Sequence, residues 1–277
     1  MQLLVIQRIL GLLLMLHSIT MLPPFLMALF YGEPEWWDFL VTFSGLALLG
    51  AAIWLPVRNR RAELRTRDGF VVVVMFWSVL GVFGAIPFMF EHLSFTDSVF
   101  ESVSGFTTTG GTVISGLDHL PKSILYYRQQ LTFFGGIGIV VFAIAILPML
   151  GVGGMSLYRA ETPGPMKDSK LTPRIIETAR AFSYTYVGLC AACALAFWVA
   201  GMSLFDAVGH SFAILATAGF STHDANFAFF ESPLIEAIAS LFMLLGAINF
   251  SLHFLAWRGR TLRGYLEDRE LRVFLLI

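Results

Sequence analysis

Two stretches decide the fold: residues 95–114, FTDSVFESVSGFTTTGGTVI, and residues 204–222, LFDAVGHSFAILATAGFST. They align at a constant offset of 109, which sets Asp97 on Asp206, Val99 on Val208, Ser102 on Ser211, Thr108 on Thr217 and Gly110 on Gly219. Both are too polar to cross a bilayer and too apolar for ordinary loops. In each, an aspartate (Asp97, Asp206) is expected to cap a short helix and to complement its positive end. About two to three helical turns lead to Gly105 or Ile214. A run of small and hydroxylated residues follows, Thr107, Thr108, Thr109, Gly110, Gly111 and Thr112 in one, Thr217, Ala218, Gly219, Phe220 and Ser221 in the other. Extended backbone at membrane depth is tolerated only where protein buries it or where it lines water. A Thr/Gly strand meets that constraint if its carbonyls hold a desolvated cation, because glycine permits the dihedrals that turn successive carbonyls toward one axis. The short helix ends with its negative pole at the same place, which favours a cation. Read singly, TTTGGT and TAGFST are Thr/Gly turns; two copies at matched positions argue for a filter.

The surroundings are lipid. Of 277 residues, 57% are hydrophobic and 13% charged, with a mean hydropathy of +0.75, against about 25% charged residues in an ordinary soluble domain. That excludes a cytosolic enzyme, a secreted disulfide scaffold and a disordered chain, and the net charge of −1 argues against a nucleic-acid binder. Uncharged runs at 9–31, 39–57, 70–90, 129–158, 181–205 and 237–257 each reach the length of a spanning helix. Pro23 and Pro24 are expected to kink or end the first near its outer mouth, and a seventh span begins in LRVFLLI at 271–277. Sixteen of the eighteen Lys and Arg fall on one side of these spans, with only Lys122 and Arg128 on the other, whereas eleven of the nineteen acids fall on the Lys-poor side. The positive-inside rule makes both termini cytoplasmic and the outer face acidic, a field that concentrates cations without selecting among them. Each short helix with its strand lies on the acidic side, between an outgoing and a returning span. The repeating unit is therefore span, hairpin, span, occurring twice.

Other motifs carry less. Cys190 and Cys193 form C-x-x-C in mid-span and read as small packing residues. Gly151, Gly153 and Gly154 follow a spanning helix rather than a strand, so the phosphate-loop context is missing. His210 and Ser211 are adjacent on a helix and point about 100° apart, which disfavours a nucleophile–base pair. His17 and His253 are expected to meet backbone or water. Arg128, at the outer end of the fourth span, either snorkels or braces the hairpin by pairing with Glu101 or Asp118, bracing being favoured. Gly135, Gly136 and Gly138 allow close helix approach. Asn249 either lines a wet cavity or bonds across helices.

The chain resembles the N-terminal half of the Trk-type potassium uptake proteins, the membrane subunits of the Trk/Ktr/HKT superfamily. The resemblance rests on two extra N-terminal spans, GFTTTGGT at 105–112, TAGFST at 217–222 and the start of a third repeat in YLEDRELRVF at 265–274. It implies an all-α polytopic membrane protein of repeated helix–pore hairpin–helix units, two of an expected four, after two extra transmembrane helices. The division is 1–68 for the first two helices, 69–158 and 179–257 for the repeats, 159–178 for a cytoplasmic linker, and 258–277 for a second linker with the start of a third repeat. The family admits K⁺ through a filter with one key glycine per repeat, here Gly110 and Gly219; serine at the first accompanies Na⁺ permeation, so Gly110 implies K⁺ preference.

The implied K⁺ site comprises Thr108, Thr109, Gly110 and Gly111 with Thr217, Ala218, Gly219 and Phe220. Asp97, Asp206, Thr112, Ser221 and Arg128 support it. The resemblance also implies a homodimer in the bacterial inner membrane, with a cytosolic nucleotide-binding regulatory subunit of the TrkA type docked on the basic face. No cofactor, no enzyme activity and no nucleic-acid partner are expected. One half cannot surround an ion. Either the chain is part of a longer protein, which its apolar LRVFLLI end favours, or two copies supply four hairpins. A non-conducting membrane scaffold or half-transporter is the alternative.

Overall fold

A computed structural model describes residues 2–60, 66–149, 175–248, 250–259 and 261–276. The glycine motif at 151–154, most of the linker at 159–178 and Asn249 lie outside them. The regular elements among the described residues are helices: α1 (Leu3–Ile19), α2 (Leu22–Tyr31), α3 (Trp36–Trp54), α4 (Thr66–Phe83), α5 (Ile86–Phe90), α6 (Phe95–Phe106), α7 (Lys122–Met149), α8 (Ile175–Val199), α9 (Leu204–Leu215), α10 (Pro233–Ala247), α11 (Phe250–Gly259), α12 (Arg263–Glu267) and α13 (Arg269–Phe274). Three stretches among them are long and apolar enough to cross a membrane, Leu3–Tyr31, Trp36–Val57 and Ala181–Val199. Large apolar side chains such as Phe30, Leu48 and Val199 are mostly exposed, as expected where lipid replaces water outside.

Three of the expected spans are broken, and side chains repair two of the breaks, one from another span and one from within the same span. In the first, the helix ends at Ile19, a turn before the prolines, which occupy the first turn of α2. Proline has no N–H, so Pro24 cannot reach back to the carbonyl of Thr20; Gln130 Nε2 of α7 donates to that oxygen at 2.7 Å instead. The sixth span is not the continuous helix expected from its apolar run. It opens at Ile248, whose ψ of 141° is extended, and His253 Nε2 donates to the Leu245 carbonyl at 2.8 Å while Nδ1 accepts from Tyr265 Oη at 2.7 Å. The His253 expectation of a backbone partner is met. The fourth span changes direction at Gly138 (φ 62°, ψ 178°), so that glycine serves a bend and not the close helix approach expected of it.

Two apolar clusters organise the rest. One gathers Ile9, Leu14, Phe39, Leu46, Phe76, Phe88 and Phe106 from the N-terminal helices around Ile124, Tyr127 and Leu131 of α7. The other joins Tyr186, Cys190, Cys193 and Phe197 of α8 to Ile214 and Leu215 of α9 and Ile235 and Ala239 of α10. Phe133 and Ile137 of α7 pack on this second cluster, so α7 is the shared wall. Its N-terminus is fixed from outside. The Glu33 carboxylate accepts from the free N–H groups of Lys122 and Ser123 at 2.7 and 3.0 Å, and the Lys122 ammonium lies over Tyr31 and Phe205 at 4.6 and 5.4 Å. This anchoring holds Arg128, one and a half turns on, between α6 and α9.

Candidate cation site

The two short helices are each 12 residues long and begin alike. Their caps are Ser94 and Ser203, not the aspartates expected from sequence. Ser94 Oγ accepts from Asp97 N at 3.1 Å and donates to Asp97 Oδ2 at 2.7 Å; Ser203 and Asp206 repeat this at 3.1 and 2.6 Å. The pattern has the S-x-x-D spacing of a capping box, but each aspartate reaches back to the serine hydroxyl; the signature stands in SFTD and SLFD. Asp206 does more than Asp97, for its Oδ1 also accepts from Thr222 Oγ1 at 2.7 Å.

Beyond each helix the backbone follows the same course. Thr108 and Thr217 N–H donate to the carbonyls of Gly105 and Ile214 at 3.0 Å, and Thr109 and Ala218 N–H to those of Ser104 and Ala213 at 2.9 Å. Positive φ then recurs at every second residue: 56° at Thr108 and 74° at Gly110, 52° at Thr217 and 101° at Gly219. Threonine in the left-handed region is strained, and it occurs at the same place in both copies. Among the described residues, the carbonyls of Thr108, Thr109, Gly110, Thr217 and Ala218 accept no hydrogen bond, whereas Gly219 O lies 3.4 Å from Asn226 Nδ2. Gly111 differs from its neighbours, because its carbonyl accepts from Ser104 Oγ at 2.6 Å.

The strands touch at Gly110. A Cβ there would lie 1.7 Å from the Ala218 carbonyl oxygen, so nothing larger than glycine fits. Around Gly219 no heavy atom of the described residues lies within 4 Å of such a Cβ. The expected close approach of α7 is found at Gly135, where a Cβ would come within 2.2 Å of the Phe106 carbonyl, and at Gly136 against the Tyr186 hydroxyl.

Arg128 is fully buried and joins the two copies. Nε donates to Glu101 Oε1 at 2.7 Å, Nη2 lies 2.7 Å from the same oxygen and donates to Thr112 Oγ1 at 3.1 Å, and Nη1 donates to the Ser221 carbonyl at 3.0 Å. The guanidinium rests 4.4 Å above the Phe220 ring. Of the two acids expected for it, Glu101 is the partner. Glu101 also accepts from Thr112 Oγ1 and from Val113 N. At the matching places of the second copy, His210 Nδ1 donates to the Asp206 carbonyl at 2.9 Å and Nε2 accepts from Ser221 Oγ at 3.0 Å. The ring therefore holds Ser221 as the carboxylate holds Thr112. Ser211 Oγ donates to Val208 O instead, so the adjacent histidine and serine form no nucleophilic pair. No cluster of three metal-ligating His, Cys, Asp or Glu exists among the described residues.

The acidic side is electrostatically crowded away from these strands. Burial first, then Glu35, Asp38 and Glu33, push the Glu91 carboxyl up to about 7. Asp118 is shifted the other way, its hydrogen bond with His223 holding it below the usual carboxylate range. Sequence reasoning missed His223, Thr222 and Ser104. Only the S-x-x-D caps left a signal, repeated at the offset of 109.

The family model described as TrkH, cation transport protein, matches residues 38–277. The chain is 57% identical over 279 residues to the Trk system potassium uptake protein TrkH of Halomonas elongata, covering 100% of this chain and 58% of that protein. It is 53% identical over 273 residues to TrkH of Escherichia coli, covering 98% and 56%. The crystal structure of the potassium transporter TrkH from Vibrio parahaemolyticus superposes with a TM-score of 0.86 at 49% identity, over 100% of this chain and 57% of that one. The chain spans a little over half the length of the relatives it matches.

Proposed function

This chain belongs to the TrkH family of cation transport proteins, a family of transporters and not of enzymes, and on that premise we propose that it supplies half of a potassium-selective path. The unbonded carbonyls of Thr108, Thr109, Gly110, Thr217 and Ala218, with those of Gly219 and Phe220, replace water around a dehydrated K⁺. Gly111 holds the first strand through its bond to Ser104. The observation that carries the reading is the left-handed residue at every second position of both strands, since alternating hand turns successive carbonyls to one side. The helices α6 and α9 stop just before the strands, at Phe106 and Leu215, so their negative poles support the same ion. The remaining ligands come from outside these two hairpins. An inside-negative potential then drives K⁺ inward, worth about 2.3 kcal/mol per charge per 100 mV.

The same proposal includes the division into two helix–hairpin–helix repeats behind two extra helices, an inner-membrane location with a cytoplasmic N-terminus, a homodimer, and a TrkA-like nucleotide-binding regulatory subunit. Relatives named as potassium uptake proteins weigh against a non-conducting scaffold. The test replaces Gly110 by alanine in the full-length protein and measures K⁺ and Na⁺ flux into liposomes. A Cβ at that place overlaps the Ala218 carbonyl, so K⁺ uptake or its preference over Na⁺ is expected to be lost. Undiminished K⁺/Na⁺ discrimination refutes the reading.

A further inference from the structure

The sixth span opens where the first copy also bends. Gly138, at which α7 changes direction, precedes Ala247 by 109 residues, and Ile248 with its extended ψ of 141° comes next. The opening is held by His253; at its matching place the first copy has Ile144, which carries no polar group for such a task. A carbonyl only accepts, so Nε2, 2.8 Å from the Leu245 oxygen, bears the proton, and Nδ1 is left to accept from Tyr265 Oη at 2.7 Å. Phe250 and Tyr265 flank the buried ring, with centroids 5.6 and 5.7 Å away. Tyr265 belongs to α12, beyond the end of the span. The other end of the contact reaches the second strand. Gly246, next to Leu245, lies so near the end of α9 that a Cβ on it would be 2.9 Å from the Leu215 carbonyl oxygen. Two residues after Leu215 comes Thr217, the first left-handed residue of that strand.

We propose that His253 and Tyr265 form a latch through which the segment after the sixth span positions the second strand and so sets the rate at which K⁺ passes. This rests on reading the strands as an ion path. In a continuous helix each carbonyl accepts from the N–H four residues on. An extended residue at 248 breaks that series, leaving Leu245 O a long, shared bond from Ile248 N at 3.3 Å, and the ring supplies a better donor. While His253 is seated the opening persists; once it leaves, the turn gains hydrogen bonds by closing. Tyr265 keeps it seated, because without that hydroxyl Nδ1 is a buried acceptor with no donor. Closing draws α11 toward α10, since a helical residue advances about 1.5 Å and an extended one about 3.3 Å. The shift passes through Gly246 to the Leu215 carbonyl, where the close approach leaves no slack. A cavity of about 80 Å³ beside the break, between Ile248 and Leu252 and the α13 residues Leu271 and Phe274, gives the chain room to move. The latched state is the conducting one, for in it the carbonyls of Thr217 and Ala218 stand unbonded among the described residues. A displacement of α12 pulls Tyr265 away, releases His253 and moves the strand.

The test compares Tyr265→Phe, His253→Leu and His253→Gln in the full-length protein. Glutamine keeps a donor for Leu245 and an acceptor for Tyr265; the other two variants each lose part of the latch. In liposomes, K⁺ uptake is expected to fall about two- to tenfold in Tyr265→Phe and His253→Leu, the weight of one neutral hydrogen bond on an equilibrium. It is expected to fall no further in the double variant and to stay near the wild-type rate in His253→Gln. Independently of flux, spin labels on cysteines replacing the exposed Leu241 and Leu255, with Cys190 and Cys193 changed to alanine, report the distance across the break. That distance is expected to shorten by about 2–4 Å in Tyr265→Phe and His253→Leu and to match the wild type in His253→Gln, a pattern that general loosening of the fold does not produce. An unchanged distance in Tyr265→Phe, or losses that multiply in the double variant, overturns the latch, and so does a shortened distance with undiminished K⁺ uptake. Shortening in a protein that passes no K⁺ supports the latch and refutes the transport reading instead.

Discussion

The two hairpins share a backbone and differ in what holds it. In the first, a buried ion pair does so, with Glu101 and Arg128 fully enclosed and Thr112 bonded to both. In the second, His210 occupies the place of Glu101 and ties Ser221 by hydrogen bonds that a neutral ring satisfies. Yet the left-handed residues fall at the same positions, and the helices begin and end in register. Different side-chain chemistry therefore suffices for one backbone course, provided each supports the residue four places beyond the helix-terminal turn. The first hairpin also depends on the second, because Arg128 spends one donor on the Ser221 carbonyl and Gly110 abuts Ala218.

The largest expected effect separates the two kinds of brace. Arg128→Met leaves Glu101 buried without its counter-charge, and removing one partner of such a pair costs about 3–5 kcal/mol. His210→Phe removes hydrogen bonds only, about 1–3 kcal/mol. Unfolding midpoints of the full-length protein in detergent measure both; equal losses would break the contrast. The caps probe the likeness. Ser94→Ala and Ser203→Ala are each expected to cost about 1 kcal/mol, seen as matched decreases in melting temperature, and a loss confined to one copy would show that its helix is held by something else. The smallest effect concerns Ser104, which bonds the Gly111 carbonyl, whereas Ala213 stands at its place in the second copy. Ser104→Ala is expected to cost about 1 kcal/mol and to free that carbonyl for the ion, read as a changed K⁺/Na⁺ flux ratio; the unaltered second strand is the internal control.

Much of the candidate site was legible in the sequence because its geometry is local. The offset of 109, the Thr/Gly runs and the short polar helices before them each depend on residues within a few turns, where spacing dictates conformation. Arg128 was legible as a brace because a charge near membrane depth must find a partner. The caps were misjudged by three residues: aspartate and serine compete for the same free N–H groups, and the choice between them turns on the side chain that reaches back. The sixth span was read as continuous because apolar composition records lipid contact and not helix continuity.

From the sequence by itself followed a lipid-embedded helical chain with two matched hairpins, since hydropathy and short-range hydrogen bonding are properties of neighbours along the chain. The tertiary structure alone decided that Arg128 reaches Ser221, 93 residues on, that His223 meets Asp118 across 105, and that Gln130 repairs the opening which Pro24 leaves at Thr20. Those pairings arise only where separate helices pack, and a buried donor or acceptor takes whatever partner the packing brings within reach.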